Sequence, residues 1–267
     1  MGFQAVQPFL PYYIQEFNVV DLAEALVWAG YMGTAGGITM AISSPIWGAM
    51  ADRFGRKAMV VRSMLGGGLT VLFMAYAVTV EQILVARALQ GALAGTVTAC
   101  ITLVSTTTPK QHLGFALGLM QGTFMLGASL GPLLGGPFIE KFGYYNCFLV
   151  SGALVLLSGV AVQLWVHEDF RPQTAVLNKE GERESFFQGA MRLLRVRAFL
   201  IMLVCMTLVQ FAFGIIMPVV PLFLQQLAGG GDILSLAGLI FSLLGLVGAI
   251  SSVAFGRWSD YFGARQT

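Results

Sequence analysis

Seven stretches of this chain run for 18 residues or more without one Asp, Glu, Lys or Arg: Leu26–Ala51, Ser63–Val80, Ala88–Pro109, Leu113–Ile139, Phe142–Val166, Ala198–Gly231 and Ile233–Gly256. A helix crossing the hydrocarbon of a bilayer needs about 20 such residues, because backbone groups have no water to bond there. An eighth apolar stretch, Met1–Gln15, is shorter. Only 10% of the residues are charged and mean hydropathy is +0.78, whereas a soluble domain carries roughly 25% charged residues. The expected fold class is therefore an all-α polytopic membrane protein. Cys100, Cys147 and Cys205 are far apart, odd in number and without metal-ligand spacing, so they read as small apolar side chains. No metal is expected.

The charges fall between the runs, and unevenly. Counting eight spans with loops on alternating sides, one side holds 13 of the 15 basic residues, including Arg53, Arg56, Lys57, Arg62, Arg171, Arg197 and Arg257. The other side holds Lys141 with Glu16, Asp21, Glu24, Glu81, Glu140 and Asp232. Basic loops remain in the cytoplasm, which predicts an inner-membrane protein with those loops inside. Arg87 falls within the fourth span.

Two charged decapeptides, Gly48–Lys57 (GAMADRFGRK) and Gly256–Arg265 (GRWSDYFGAR), share Gly, Asp, Phe and Gly at an offset of 208. PFLPYYIQEF from Pro8 and PVVPLFLQQL from Pro218 share Pro-x-x-Pro and a Gln four residues later, at an offset of 210. Matching offsets indicate a tandem duplication, one known plan for transporters. The expected organisation is a six-helix unit at 1–166, a charged linker at 167–198 with an amphipathic end, and two spans of a second unit at 199–267. By this symmetry the first span lacks its cytoplasmic half and four spans would follow Thr267, in a protein of roughly 400 residues.

Several motifs now carry a resemblance. Gly48, Asp52, Arg53, Gly55, Arg56 and Lys57 lie between spans two and three, and a weaker copy with Gly256, Asp260 and Gly263 follows span eight. Both are similar to the loop motif of the major facilitator superfamily. Arg87, Gln90 and Gly91 resemble that family's intramembrane Arg motif. Gly127, Gly131, Pro132, Gly135 and Gly136 in span five resemble the motif of its antiporters, and Pro8-x-x-Pro11 that of its twelve-helix drug exporters. The resemblance implies two pseudo-symmetric six-helix bundles, the second incomplete, with about 8 of 12 helices present. It implies a gating charge cluster around Asp52, proton coupling through Arg87, and packing of span five on span eight, where Gly238, Gly245 and Gly248 are the expected partners.

The residues have physical readings of their own. Gly55 permits a backbone reversal, and Gly48 a close helix approach. Asp52 is expected just beyond the end of span two, where a mere basic anchor would need no acid. Arg87 is costly in a membrane, on the order of 3 kcal/mol, so it serves function or snorkels to the outer headgroups. Pro132 removes a helical hydrogen bond and is expected to bend span five. Gln4, Gln7, Tyr31, Gln121, Phe124, Gln210 and Phe213 are candidate cavity-lining residues. No carboxylate lies deep in any span, leaving the coupling ion open.

Taken together, these features predict a monomeric secondary transporter in the lipid bilayer, most simply a proton-driven exporter of small lipophilic or cationic compounds. An uptake symporter for a sugar, peptide or other metabolite is the alternative. No phosphate loop, cofactor or nucleic-acid site is expected. An intramembrane enzyme is disfavoured, because His112 and His167 both lie in loops. A receptor is disfavoured by the duplicated charged loops.

Overall fold

The computed structural model describes residues 6–17, 19, 21–109, 113–168, 195–228 and 233–262. Regular structure among them is entirely helical: α1 (Leu10–Gln15) after a short turn of 3-10 helix, α2 (Leu22–Phe54), α3 (Arg56–Ala75), α4 (Val80–Ala92), α5 (Thr96–Thr107), α6 (Leu113–Trp165), α7 (Arg197–Ala228) and α8 (Ile233–Phe262). Among the described residues five stretches are long and apolar enough to cross a membrane: α2, α3, α4 with α5, α6 and α7. A straight α6 of 53 residues would be about 80 Å long, against roughly 30 Å of hydrocarbon. Gly143, at φ 79° and ψ 166°, folds it into two spans, 113–142 and 144–165. The break falls beside Glu140 and Lys141, where the charges place it.

Each expected span has helix among its described residues, with two adjustments. The fourth starts at Val80 and so carries Arg87 inside it, as expected. That span is also jointed, with Gly95 in the left-handed region at φ 117° between α4 and α5. Asp52 stands within the last turn of α2 rather than beyond it. Local chemistry explains the helix starts. The Asp21 carboxylate accepts from Ala23 N at 3.2 Å, and Thr79 Oγ1 accepts from Gln82 N at 3.4 Å while Gln82 Oε1 accepts from Val78 N at 2.8 Å, a variant of the capping box. The amphipathic helix expected before Ala198 lies outside the described residues, save for its last few.

Helices pair where side chains are smallest, as lipid gives apolar faces no other reason to leave it. Along α3 and 144–165, Gly68 fits against Leu156, Gly152 against Leu72, and Gly159 against Met64 and Leu65. Between α2 and α4, Gly91 lies on the carbonyl of Gly36 and the hydroxyl of Thr39, and Thr39 Oγ1 donates to Ala88 O at 2.8 Å. One buried cluster, including Phe9, Ile14, Met32, Ile83, Phe148, Leu222, Ala237 and Phe241, draws on both copies. Outward faces keep large apolar groups exposed, among them Phe115, Leu119, Leu157 and Met206, as lipid contact allows. The molecule has a basic end, with Arg53, Arg56, Lys57 and Arg197, and an acidic end, with Glu16, Asp21, Glu24, Glu81 and Glu140. At the acidic end Tyr76 meets Tyr145 edge-on, ring centroids 5.5 Å apart, as aromatic residues do at a headgroup boundary.

Candidate functional site

The two copies touch along a line that starts at the acidic end. Gln15 Nε2 donates to Gln225 Oε1 at 2.8 Å, and Gln225 Nε2 donates back to Gln15 Oε1 at 3.0 Å. These are the two glutamines of the Pro-x-x-Pro repeats, 210 residues apart, so equivalent positions of the two repeats meet here. Nearby, the Tyr12 hydroxyl donates to Pro221 O. Between 113–142 and α8, Gly238 lies on Pro132 O, Gly136 on Leu234 O, and Gly245 against Ser129, where an added Cβ would be 2.9 Å from the Ser129 Cα. Ser129 Oγ donates to Ser242 O at 2.9 Å. Glu140 caps α8, accepting from Ser235 N at 2.8 Å and from the Ser235 hydroxyl.

This seam carries the packing that the glycine pattern of span five foretells. Gly127, Gly131, Pro132, Gly135 and Gly136 are all buried, and two of the three expected partners, Gly238 and Gly245, are in contact. The third is not: a methyl group at Gly248 would meet nothing within 4 Å. Pro132 and Pro137 sit within α6, whose only non-helical dihedrals are at Gly143, so the expected bend at Pro132 is not a break. One heptad before Ser129 on the same face, Gly122 also meets nothing within 4 Å. Among the described residues the contacts of the seam run from the acidic end as far as Gly245 and Ser129, and Gly122 and Gly248, nearer the basic end, make none.

At the basic end Gly55 takes φ 95°, the reversal that joins α2 to α3 without spacer. Asp52, its side chain 63% exposed, is 4.0 Å from Arg56 Nη2. Arg53 lies over the Phe54 ring at 5.4 Å. Glu168, which the sequence reading passed over, holds the loop from below: its carboxylate accepts from Arg56 N at 3.0 Å and Lys57 N at 2.7 Å. This places negative charge at the positive start of α3. Lys57 Nζ donates to Gln163 O at 2.8 Å. Gly48 departs from its expected role, since a methyl group there would touch nothing within 4 Å. Gly256 and Asp260 fall on the final turns of α8, whose side chains lie outside the described residues, as does Gly263.

Arg87 turns inward, not to the headgroups. Its Nη1 donates to Gln90 Oε1 at 2.7 Å, and both line a small cavity with Val6, Leu10, Val71, Met74 and Phe148. Among the described residues the one hydrogen-bond partner of this guanidinium is the Gln90 amide, and a guanidinium has five N–H donors with which to meet an anionic or carbonyl group. Gly91, next in the motif, serves packing against Gly36. The proposed cavity lining is not gathered. Tyr31 stands 57% exposed and Phe213 likewise, Phe124 is 39% exposed, and Gln121 and Gln210 are exposed. No hydrogen bond or ring contact among the described residues joins any two of them, though Tyr31 meets Trp28 edge-on at 6.0 Å. Gln4 and the Gln7 side chain lie outside the described residues.

The sequence matches the model of the Major Facilitator Superfamily over residues 1–267. Among curated proteins, the multidrug resistance protein MdtG of Escherichia fergusonii is 35% identical over 265 residues, covering 98% of this chain and 63% of that protein. MdtG of Yersinia enterocolitica is 34% identical over 267 residues, covering 98% of this chain and 62% of its own. MdtG of Proteus mirabilis is 30% identical over 263 residues, covering 98% and 64% respectively. This chain thus spans about 63% of the length of the curated relatives it matches.

Proposed function

Because the chain belongs to the Major Facilitator Superfamily, we propose that it forms the first two-thirds of the pathway of a secondary transporter that exports small lipophilic or cationic compounds by alternating access. The observation that carries this reading is the seam between the copies, tight from Gln15–Gln225 to Ser129–Ser242 and open at Gly122. A pathway closed at one end and open at the other is one of the two states that alternating access requires. The opposite state would separate the acidic end and bring the basic loops together.

In this reading the basic loops face the cytoplasm across the inner membrane. Asp52 joins a charge cluster that forms when the basic end closes, which suits its exposure here. Arg87 with Gln90 places a fixed positive charge beside the small cavity, against which a proton-carrying group of the pathway can discharge, and proton entry drives export. The exposed faces around Tyr31, Gln121, Phe124, Gln210 and Phe213 contribute the adaptable lining of the open side. The relatives of 30–35% identity are multidrug resistance proteins, which supports export over uptake.

The test is ethidium efflux from cells lacking their own pumps, with the protein expressed from its complete reading frame. Efflux that stops on adding a protonophore is the expected result. A protein that exports no lipophilic cation and accumulates a sugar instead would overturn the export reading. Reporter fusions after Asp52 and Asp260 should both report the cytoplasmic side; opposite sides would overturn the topology.

A further inference from the structure

We propose that residues 93–95 are a working hinge in the fourth span, that α5 swings about it, and that Arg62 and Trp47 are the positioning residues that hold it. The proposal rests on the transport reading above for its purpose, but the joint itself stands on local geometry.

A break at membrane depth exposes carbonyls that a continuous helix would bond internally, and each one left bare is costly. At this break the cost is met from two neighbouring helices. Trp47 Nε1, from α2, donates to Ala92 O at 2.6 Å, and Arg62 Nη2, from α3, donates to Ala94 O at 3.2 Å. The guanidinium carbon of Arg62 lies 3.5 Å from the centre of the Trp47 ring, a cation–π stack that favours a charge removed from water. That charge also sits at the C-terminal, negative end of α4. Thr96 Oγ1, the first residue past the joint, donates to Ser63 Oγ at 2.9 Å.

The arrangement locks in the break. Straightening the span would withdraw the carbonyls of Ala92 and Ala94 into the helix and strand Arg62 without an acceptor. Gly95, at φ 117°, is a position that an L side chain enters only under strain. The guanidinium has spare capacity as well: Arg62 Nε and Nη1 are buried and without a hydrogen-bond partner among the described residues. A fork with two unused donors swivels to new carbonyls as the joint angle changes, which a single fixed bond would not permit.

The two arms are held unequally. Above the joint, α4 is fixed to α2 by Gly91 on Gly36 and by Thr39 on Ala88 O. Below it, α5 buries only Leu103. Thr102, Thr106 and Thr107 donate to carbonyls three or four residues back, a pattern that loosens and bends helices. A rigid upper arm, a lightly packed lower arm and a braced joint at the basic half are the parts of a moving flap at the basic mouth.

The test uses the protein in its complete reading frame, with every native cysteine, Cys100, Cys147 and Cys205 among them, changed to serine and spin labels on Val85→Cys and Ile101→Cys, one on each arm. The wild-type distance distribution should be broad or two-peaked and should narrow to one peak in the double variant Gly95→Ala, Arg62→Leu, which heals the joint. Ethidium efflux by that variant should lose at least tenfold in turnover with KM within twofold. Arg62→Lys keeps the charge but not the fork, and should fall between. A wild-type distribution as narrow as the double variant's, or wild-type turnover in the double variant, would overturn the hinge. If the parent exports no ethidium, the export reading fails by itself, while the distance measurement still decides the joint.

Discussion

A methyl group at Gly91 would collide with the Gly36 carbonyl and the Thr39 hydroxyl, so spans two and four must part to admit one. Gly91→Ala should cost about 2–3 kcal/mol through overpacking, seen as a lower melting midpoint in detergent. Gly67→Ala is the control, since nothing lies within 4 Å of it, and it should hold or raise the midpoint. Asp52→Asn works differently. The side chain is exposed and its described ion pair is 4.0 Å long, a surface contact worth at most about 1 kcal/mol. Folding should therefore survive while the efflux rate falls severalfold; unchanged kinetics would remove Asp52 from the gate. Arg87 stood out in the sequence because a lone charge in an apolar run needs a reason, and the fold turns it inward to Gln90. Arg62 did not stand out, because it borders a run and reads as one more basic anchor. Only the fold reveals that it lies on Trp47 and turns to Ala94.

At the scale of helices, glycine spacing carried much of the message but not all of it. The seam of span five was readable because small residues every four positions leave room for another backbone. The Gly91–Gly95 pair has the same spacing, yet Gly91 packs and Gly95 bends. Sequence spacing cannot separate those roles, since both demand a missing Cβ and only the neighbours differ. Glu140 and Ser235 escaped notice for a similar reason: a carboxylate reveals its cap only when a helix start from the other copy arrives beside it. Gly238→Leu should act on the seam alone. Its side chain would strike the Pro132 carbonyl and hold the acidic end apart. Ser242→Cys, buried in the parent, should then react with a thiol reagent at least tenfold faster, with export lost. Equal reactivity would mean that the seam absorbs the bulk.

For the molecule as a whole, a short bis-methanethiosulfonate joining Gln15→Cys to Gln225→Cys through two disulfides should stop export, and reduction of those disulfides should restore it. Export by the joined protein would show that the acidic end need not open. The tandem plan was legible because two motif pairs keep nearly equal offsets; how the copies meet was not, because an offset carries no direction in space. The meeting of Gln15 with Gln225 supplies that direction. A residue on a two-fold axis faces its own image, so a six-helix ancestor that associated with a second copy of itself would have made both amide bonds from one codon. Fusing the genes then required no new chemistry at this point, only that neither daughter glutamine be lost.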